Sequence, residues 1–153
     1  MDKSMEAARA IITGYDGRPL RIMEVCGTHT HEIFRLGLRK LLPEQVELIS
    51  GPGCPVCVTP VGFIDEAILL AEQYGVTVCT FGDLVRVPGT ERSLAGARAN
   101  GAKVQVVYAP MDAVEYAKSH PEEQVCFLSV GFETTTPASC LAVELAKAQR
   151  LTN

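Results

Sequence analysis

Cys54 and Cys57 stand three residues apart inside Gly51-Pro52-Gly53-Cys54-Pro55-Val56-Cys57-Val58-Thr59-Pro60, a run that also carries three prolines and two glycines. Proline fixes its own φ and glycine admits positive φ, so the run reads as a stiff loop presenting two thiols. Those thiols are close enough to form a disulfide or to chelate one metal ion. A free cysteine is often only a small core residue, but the rigidity of this setting favours thiol chemistry or metal binding. A second group precedes it. Cys26-Gly27-Thr28-His29-Thr30-His31 offers one soft ligand and two borderline ones, a set that suits iron or zinc over magnesium or calcium. Cys26 falls where a strand gives way to a helix, and helix N-terminal amides favour an anion there. Either histidine alone serves equally well as a capping or core hydrogen-bonding group.

A structural zinc site draws on two ligand pairs, and a single CxxC disfavours it. A thioredoxin-like oxidoreductase is the stronger rival, because CxxC beside a βαβ pattern is its sequence cue. Such a protein has no need of the CGTHTH group or of the later loop Gly131-Phe132-Glu133-Thr134-Thr135-Thr136-Pro137. Cys79 and Cys126 lie in β-rich apolar runs and read as core residues, and Cys140 reads as packing inward from the last helix.

The elements that must position these groups repeat along the chain. A lead-in helix over residues 4–12 stops at Gly14-Tyr15-Asp16-Gly17. Strands are expected at 20–25, 46–50, 76–80, 103–109 and 124–130. The helices between them are expected from Ile33 to Leu42, from Val61 to Tyr74, near Ser93 to Asn100, from Met111 to Ser119 and from Ala138 to Arg150. Strand-loop-helix units in series predict an α/β fold with parallel sheets and helices on both faces, because parallel neighbours need a crossover. Ligands in such folds bind beyond the carboxyl ends of the strands. CGTHTH, GPGCPVC, Phe81-Gly82-Asp83-Leu84-Val85-Arg86-Val87-Pro88-Gly89 and GFETTTP all fall there, which predicts one shared rim.

Composition narrows the function. At 153 residues with 47% hydrophobic and 21% charged residues, the chain can bury a core. A net charge of −4 and the lack of a basic run argue against nucleic acid. No apolar run approaches the roughly 18 to 20 residues of a membrane helix, and the first residues lack a signal-peptide layout, so the expected location is cytoplasmic. Six cysteines in a reducing compartment are then thiols, redox centres or ligands.

The ordered set CGTHTH from Cys26, GPGCPVC from Gly51, FGDLVRVPG from Phe81 and GFETTTP from Gly131 resembles the hydrogenase-maturation protein family HypD. The resemblance implies a scaffold that binds iron and supports assembly of the Fe(CN)2CO group of [NiFe] hydrogenases, working with a HypC-like small chaperone and a HypE-like cyanide donor. It implies metal contacts from Cys26, His29, Cys54 and Cys57, and catalytic roles for Cys54, Cys57 and Glu133. Thr134, Thr135 and Thr136 would contact the cofactor. Family members are more than twice this long, so the chain is expected to be an N-terminal portion, with residues 1–110 a first α/β domain and 111–153 an incomplete second one. The C-terminal region that carries a [4Fe-4S] cluster in the family would be absent, and the cut second sheet is expected to pack less well than the first domain. The rival reading, a CxxC thiol-disulfide oxidoreductase, needs only Cys54 and Cys57.

Overall fold

The computed structural model describes residues 3–153 and is α/β, with five parallel strands in two small sheets and helices around them. The chain divides into two compact units, Met1–Cys57 and Val58–Asn153.

In the first unit, helix α1 (Lys3–Thr13) leads into strand β1 (Leu20–Glu24), helix α2 (Gly27–Arg35), a 3-10 turn at Leu38–Lys40, and strand β2 (Val46–Ser50). β1 and β2 pair in parallel from Leu20 opposite Val46 to Glu24 opposite Ser50. α2 starts at Gly27, so the CGTHTH group is its first turn rather than a loop ahead of it. It does not run on to Leu42. Gly37 takes φ 64°, a left-handed value that glycine tolerates and most residues do not, and this breaks the helix before the 3-10 turn. The unit closes on a four-residue helical turn, α3 (Pro55–Val58), which continues one residue past the division between the units. Pro55 opens α3, where a missing N–H costs nothing. Cys57 is therefore on a helical turn instead of an irregular loop.

In the second unit the order of elements is α4 (Val61–Gln73), β3 (Thr77–Thr80), α5 (Gly82–Val85), α6 (Leu94–Ala99), β4 (Val104–Val106), α7 (Pro110–Ser119), β5 (Val125–Phe127) and α8 (Thr136–Ala148). The sheet order is β4-β3-β5, all parallel. All four residues of β3 are buried, as a central strand covered on both faces requires. α4 buries Ile64, Ala67, Ile68 and Ala71, the i, i+3, i+4, i+7 stripe of an amphipathic helix. Ser93 caps α6 by accepting from the Gly96 amide at 3.3 Å. Asp65 holds the loop after α5 by accepting from the Thr90 amide at 2.7 Å and the Thr90 hydroxyl at 2.6 Å.

The buried core is unevenly shared. Every fully buried apolar side chain among the described residues lies between Ile64 and Ala142, and none lies in the first unit. Burying a side chain such as Ile64, Leu84 or Leu94 contributes about 1.5–3 kcal/mol. The first unit has no such contribution, and Ile22, Met23 and Val25 are each about half exposed. The boundary expected near residue 110 is not the one the fold draws, because β3 takes both β4 and β5 as neighbours and so joins residues 77–127 in one sheet. The later strands are consequently better packed than the first two, the reverse of the expectation. Among the described residues no helix is long and apolar enough to cross a membrane.

At the amino ends of the second sheet's strands, Glu123 accepts from Lys103 Nζ at 2.7 Å, from the Thr77 hydroxyl at 2.5 Å and from the Tyr116 hydroxyl at 3.1 Å. Lys103 first and Thr77 second hold its carboxyl down at about 2. A carboxylate whose folded pKa lies below its unfolded value contributes stability above that unfolded value and loses it as pH falls. Urea midpoints of the parent should therefore fall between about pH 4.5 and about pH 2, and Glu123→Gln should flatten that limb. An unchanged acid limb in the variant would show that the network carries no linkage.

Hydrogen exchange should show amides of Thr77–Thr80 more protected than those of Leu20–Glu24 and Val46–Ser50, following the burial. Equal protection in the two sheets would contradict this division of the core.

Candidate metal centre

Parallel pairing in register brings the carboxyl ends of β1 and β2 side by side. Two residues after β1 comes Cys26, and four after β2 comes Cys54. Their sulfurs and that of Cys57 lie within 4.8 Å of one another, with Cys54 Sγ to Cys57 Sγ at 3.2 Å and Cys26 Sγ to Cys57 Sγ at 4.0 Å. All three cysteines are free thiols. Thiolates bound tetrahedrally at metal–sulfur distances of about 2.3 Å stand about 3.8 Å apart, so small side-chain adjustments would seat one ion among them. Cys26 and Cys54 are half-buried and Cys57 is exposed, which gives the group access from solvent.

Cys57 is the electrostatic centre of the group. The Cys54 thiol beside it, the Thr28 amide and, more weakly, the Gly27 amide and the Cys26 thiol bring its pKa from 9.0 down to about 7, against the opposing effect of burial. Cys54 moves the other way. The Cys57 amide, donating to Cys54 Sγ at 3.4 Å, favours its thiolate, but the Cys57 sulfur, burial and Cys26 together outweigh that and raise it.

The first amides of α2 thus act on Cys57. The sequence placed Cys26 at that helix terminus, and it is indeed the N-cap residue, with φ −132° and ψ 125°, but its side chain makes no capping bond. Parallel strands explain the difference, since they carry the later loop across the mouth of the earlier helix. The approach is close at Gly27, where a Cβ would meet Cys57 Cβ and Sγ at 3.5 Å, an ordinary packing distance.

Glu24 was not singled out from the sequence. Its carboxylate accepts from the Thr30 hydroxyl at 2.8 Å and from the Gly51 amide at 2.9 Å, and the Gly51 amide also reaches the Glu24 carbonyl at 2.8 Å. A Cβ on Gly51 would run into that carbonyl, so only glycine allows the approach. The available signal was position alone, a glutamate at the end of a strand two residues before a cysteine.

The remaining expected site residues are not in the three-thiol group. His29 is exposed in the first turn of α2, as is His31 one residue beyond Thr30. Glu133, Thr134 and Thr135 form an exposed 3-10 turn, and exposed Thr136 opens α8, all in the second unit. Thr135 Oγ1 donates to the Phe132 carbonyl at 2.6 Å and packs against Gly131, so this loop folds on itself. CGTHTH and GPGCPVC follow the strands of the first sheet, and FGDLVRVPG and GFETTTP follow strands of the second. Cys79 is fully buried, and burial first, then Cys126 and Glu123, push its thiol up to about 11, which makes it an inert core residue. Cys126 is half-buried and likewise raised by burial. Cys140 is exposed, contrary to the inward packing expected, because the buried position of α8 is Ala142.

These features define an α/β protein whose parallel strands present three thiols that could hold a metal ion. The family model described as "HypD: Hydrogenase formation hypA family" matches residues 2–153, and the chain belongs to that family. It is 54% identical to hydrogenase maturation factor HypD of Escherichia coli (strain K12) over 136 residues, which cover 89% of this chain and 36% of that protein. To the hydrogenase maturation factor HypD of Rhodobacter capsulatus it is 51% identical over 136 residues, again 89% and 36%. To that of Azotobacter vinelandii it is 51% identical over 146 residues, 95% and 38%. The chain spans a little over a third of the length of these curated relatives.

Alkylation of the reduced protein should be fastest at Cys57, with a rate midpoint at about pH 7, and Cys54→Ser should shift that midpoint upward. Faster labelling at Cys54, or a midpoint unmoved by Cys54→Ser, would overturn the assignment of the thiolate to Cys57.

Proposed function

We propose that this chain serves hydrogenase maturation by holding iron on Cys26, Cys54 and Cys57 while the diatomic ligands of the Fe(CN)2CO group are assembled on that iron. The observation that carries the reading is the convergence of three sulfurs within 4.8 Å at the carboxyl ends of two parallel strands. The iron is cargo here, taken up and passed on. Thiolates suit it because they are soft, anionic donors, and an exposed Cys57 beside two half-buried partners lets an ion enter and leave. That the relatives are hydrogenase maturation factors supports the setting.

Within that reading His29, in the first turn of α2, is the candidate for a fourth ligand. Glu133 offers an exposed carboxylate for acid–base work, and Thr134, Thr135 and Thr136 offer hydroxyls for polar contacts to the cofactor being built. A HypC-like chaperone would exchange the iron with this chain, and a HypE-like protein would deliver cyanide-derived ligands. A [4Fe-4S] cluster would belong to parts of the longer relatives that this chain does not span, and the working location is the cytoplasm.

A thiol-disulfide oxidoreductase is the second reading, favoured by the 3.2 Å between Cys54 and Cys57 Sγ and by the lowered pKa of Cys57. Closing that disulfide removes two electrons and two protons to an external oxidant, and Cys26 takes no part in it. Cys26→Ser separates the two readings, since it replaces a soft anionic ligand by a neutral hydroxyl of similar size. Under anaerobic titration with ferrous iron, followed by vibrational spectroscopy after cyanide and carbon monoxide are supplied, the variant should lose iron retention. It should still form the Cys54–Cys57 disulfide at the parent's rate. Iron held as tightly as by the parent, with thiol exchange lost, would sink the scaffold reading.

A further inference from the structure

The carboxylate of Glu24 ties together the two segments that carry the three thiols. It ends β1, two residues before Cys26. One oxygen accepts from Thr30 Oγ1 at 2.8 Å, which anchors the first turns of α2 just after Cys26. The other accepts from the Gly51 amide at 2.9 Å, which anchors the start of the run that leads to Cys54 and Cys57. Arg39 donates to Ser50 Oγ at 3.1 Å beside this carboxylate and its charge favours the ionised form. The paired residues end at Glu24 opposite Ser50. Past that pair the Gly51 amide is shared between the Glu24 carbonyl at 2.8 Å and the Glu24 carboxylate, and it is the carboxylate that also reaches Thr30 and so ties the Cys54–Cys57 segment to α2.

We propose that Glu24 is the positioning residue that sets the separation between Cys26 and the Cys54–Cys57 pair, and so makes the three thiols a single metal site. It touches none of the sulfurs. It acts through Thr30 on one side and Gly51 on the other, as outer-shell carboxylates orient the ligands of a metal centre. Among the described residues of the first unit no side chain is fully buried, so the segments have little packing to hold them in place of this carboxylate. Cys54 immediately precedes the helical turn that carries Cys57 and accepts from the Cys57 amide at 3.4 Å, so their mutual distance is set locally and does not depend on Glu24. The inference rests on the metal-holding reading for its purpose, whereas the geometric claim can be tested without metal.

Two measurements separate the parts. In a Cys54→Ser background, diamide oxidises Cys26 and Cys57 to a disulfide, each thiol giving up one proton and one electron while diamide is reduced to the hydrazine. Adding Glu24→Ala should slow that bond, by up to about 100-fold if the two sulfurs are misplaced by about 1 Å. Glu24→Gln, which keeps one acceptor oxygen but must turn an NH2 toward Thr30 or Gly51, should fall between. In a Cys26→Ser background, the same Glu24→Ala change should leave the Cys54–Cys57 disulfide rate unchanged. Equal slowing of both disulfides would mean that Glu24 only supports the fold, and no slowing of either would mean that it sets no distance; both overturn the proposal.

The second measurement uses cobalt(II) with alkylation footprinting of the full chain. Cobalt should protect Cys26, Cys54 and Cys57 in the parent, but only Cys54 and Cys57 in Glu24→Ala, with a matching loss of one thiolate's share of the charge-transfer intensity. Protection of all three in the variant would refute the positioning role. Failure of cobalt to protect the parent, with the disulfide result as expected, would remove the metal reading and leave Glu24 setting the thiol spacing.

Discussion

The parallel pairing of β1 with β2 is the constraint on which the site depends. Residues 26 and 54 are far apart along the chain, and among the described residues of their unit no apolar side chain is fully buried. Five paired residues, ending with Glu24 beside Ser50, deliver both chains to the same edge at the same height. An antiparallel arrangement would have sent the two cysteine segments to opposite ends. The intervening α2 and 3-10 turn are the crossover that parallel pairing requires, and the crossover also supplies the Gly27 and Thr28 amides that face Cys57.

Within the site the three sulfurs differ because their surroundings differ. Cys57 receives backbone N–H groups from one segment and the neighbouring Cys54 thiol, so it ionises more readily than Cys54. Cys54 lies beside that charge and keeps its proton longer. One anionic sulfur flanked by a protonated neighbour suits both ligand capture and attack on a disulfide, which is why the same geometry supports two readings until Cys26 is tested. The second unit has its own balance, with a buried strand β3, an inert Cys79 and the Glu123 network at the opposite end of the strands from the GFETTTP loop.

Much of this was legible in the sequence because its signals are local. The apolar run Val46–Ser50 is the strand expected, and the helical stripe from Ile64 to Ala71 follows from a period of 3.6 residues. Cys26, Cys54 and Cys57 stood out by type and spacing. Their union in one group was not legible, since it depends on which strands pair, and five similar strand-helix units do not reveal where one sheet stops and the next begins. The same gap put the division near residue 110 rather than after Cys57. Side-chain direction was the other limit. Cys140 was expected inward because α8 is amphipathic, yet Ala142 occupies the buried position. Glu24 at a strand end looks like an ordinary solvated carboxylate until Gly51 and Thr30 are seen to bond to it.

Cys54 and Cys57 belong both to the CxxC pair and to the three-thiol group, so oxidation would compete with ion capture for two of the three sulfurs. An ion held by all three thiolates binds only the reduced form, and occupancy therefore shifts the redox equilibrium. Each tenfold rise of free ion above its dissociation constant adds about 1.4 kcal/mol to the reduced state and raises the two-electron midpoint potential by about 30 mV. A loaded group resists oxidants that would close an empty one, and release of the ion is also the moment at which the disulfide becomes easiest to form.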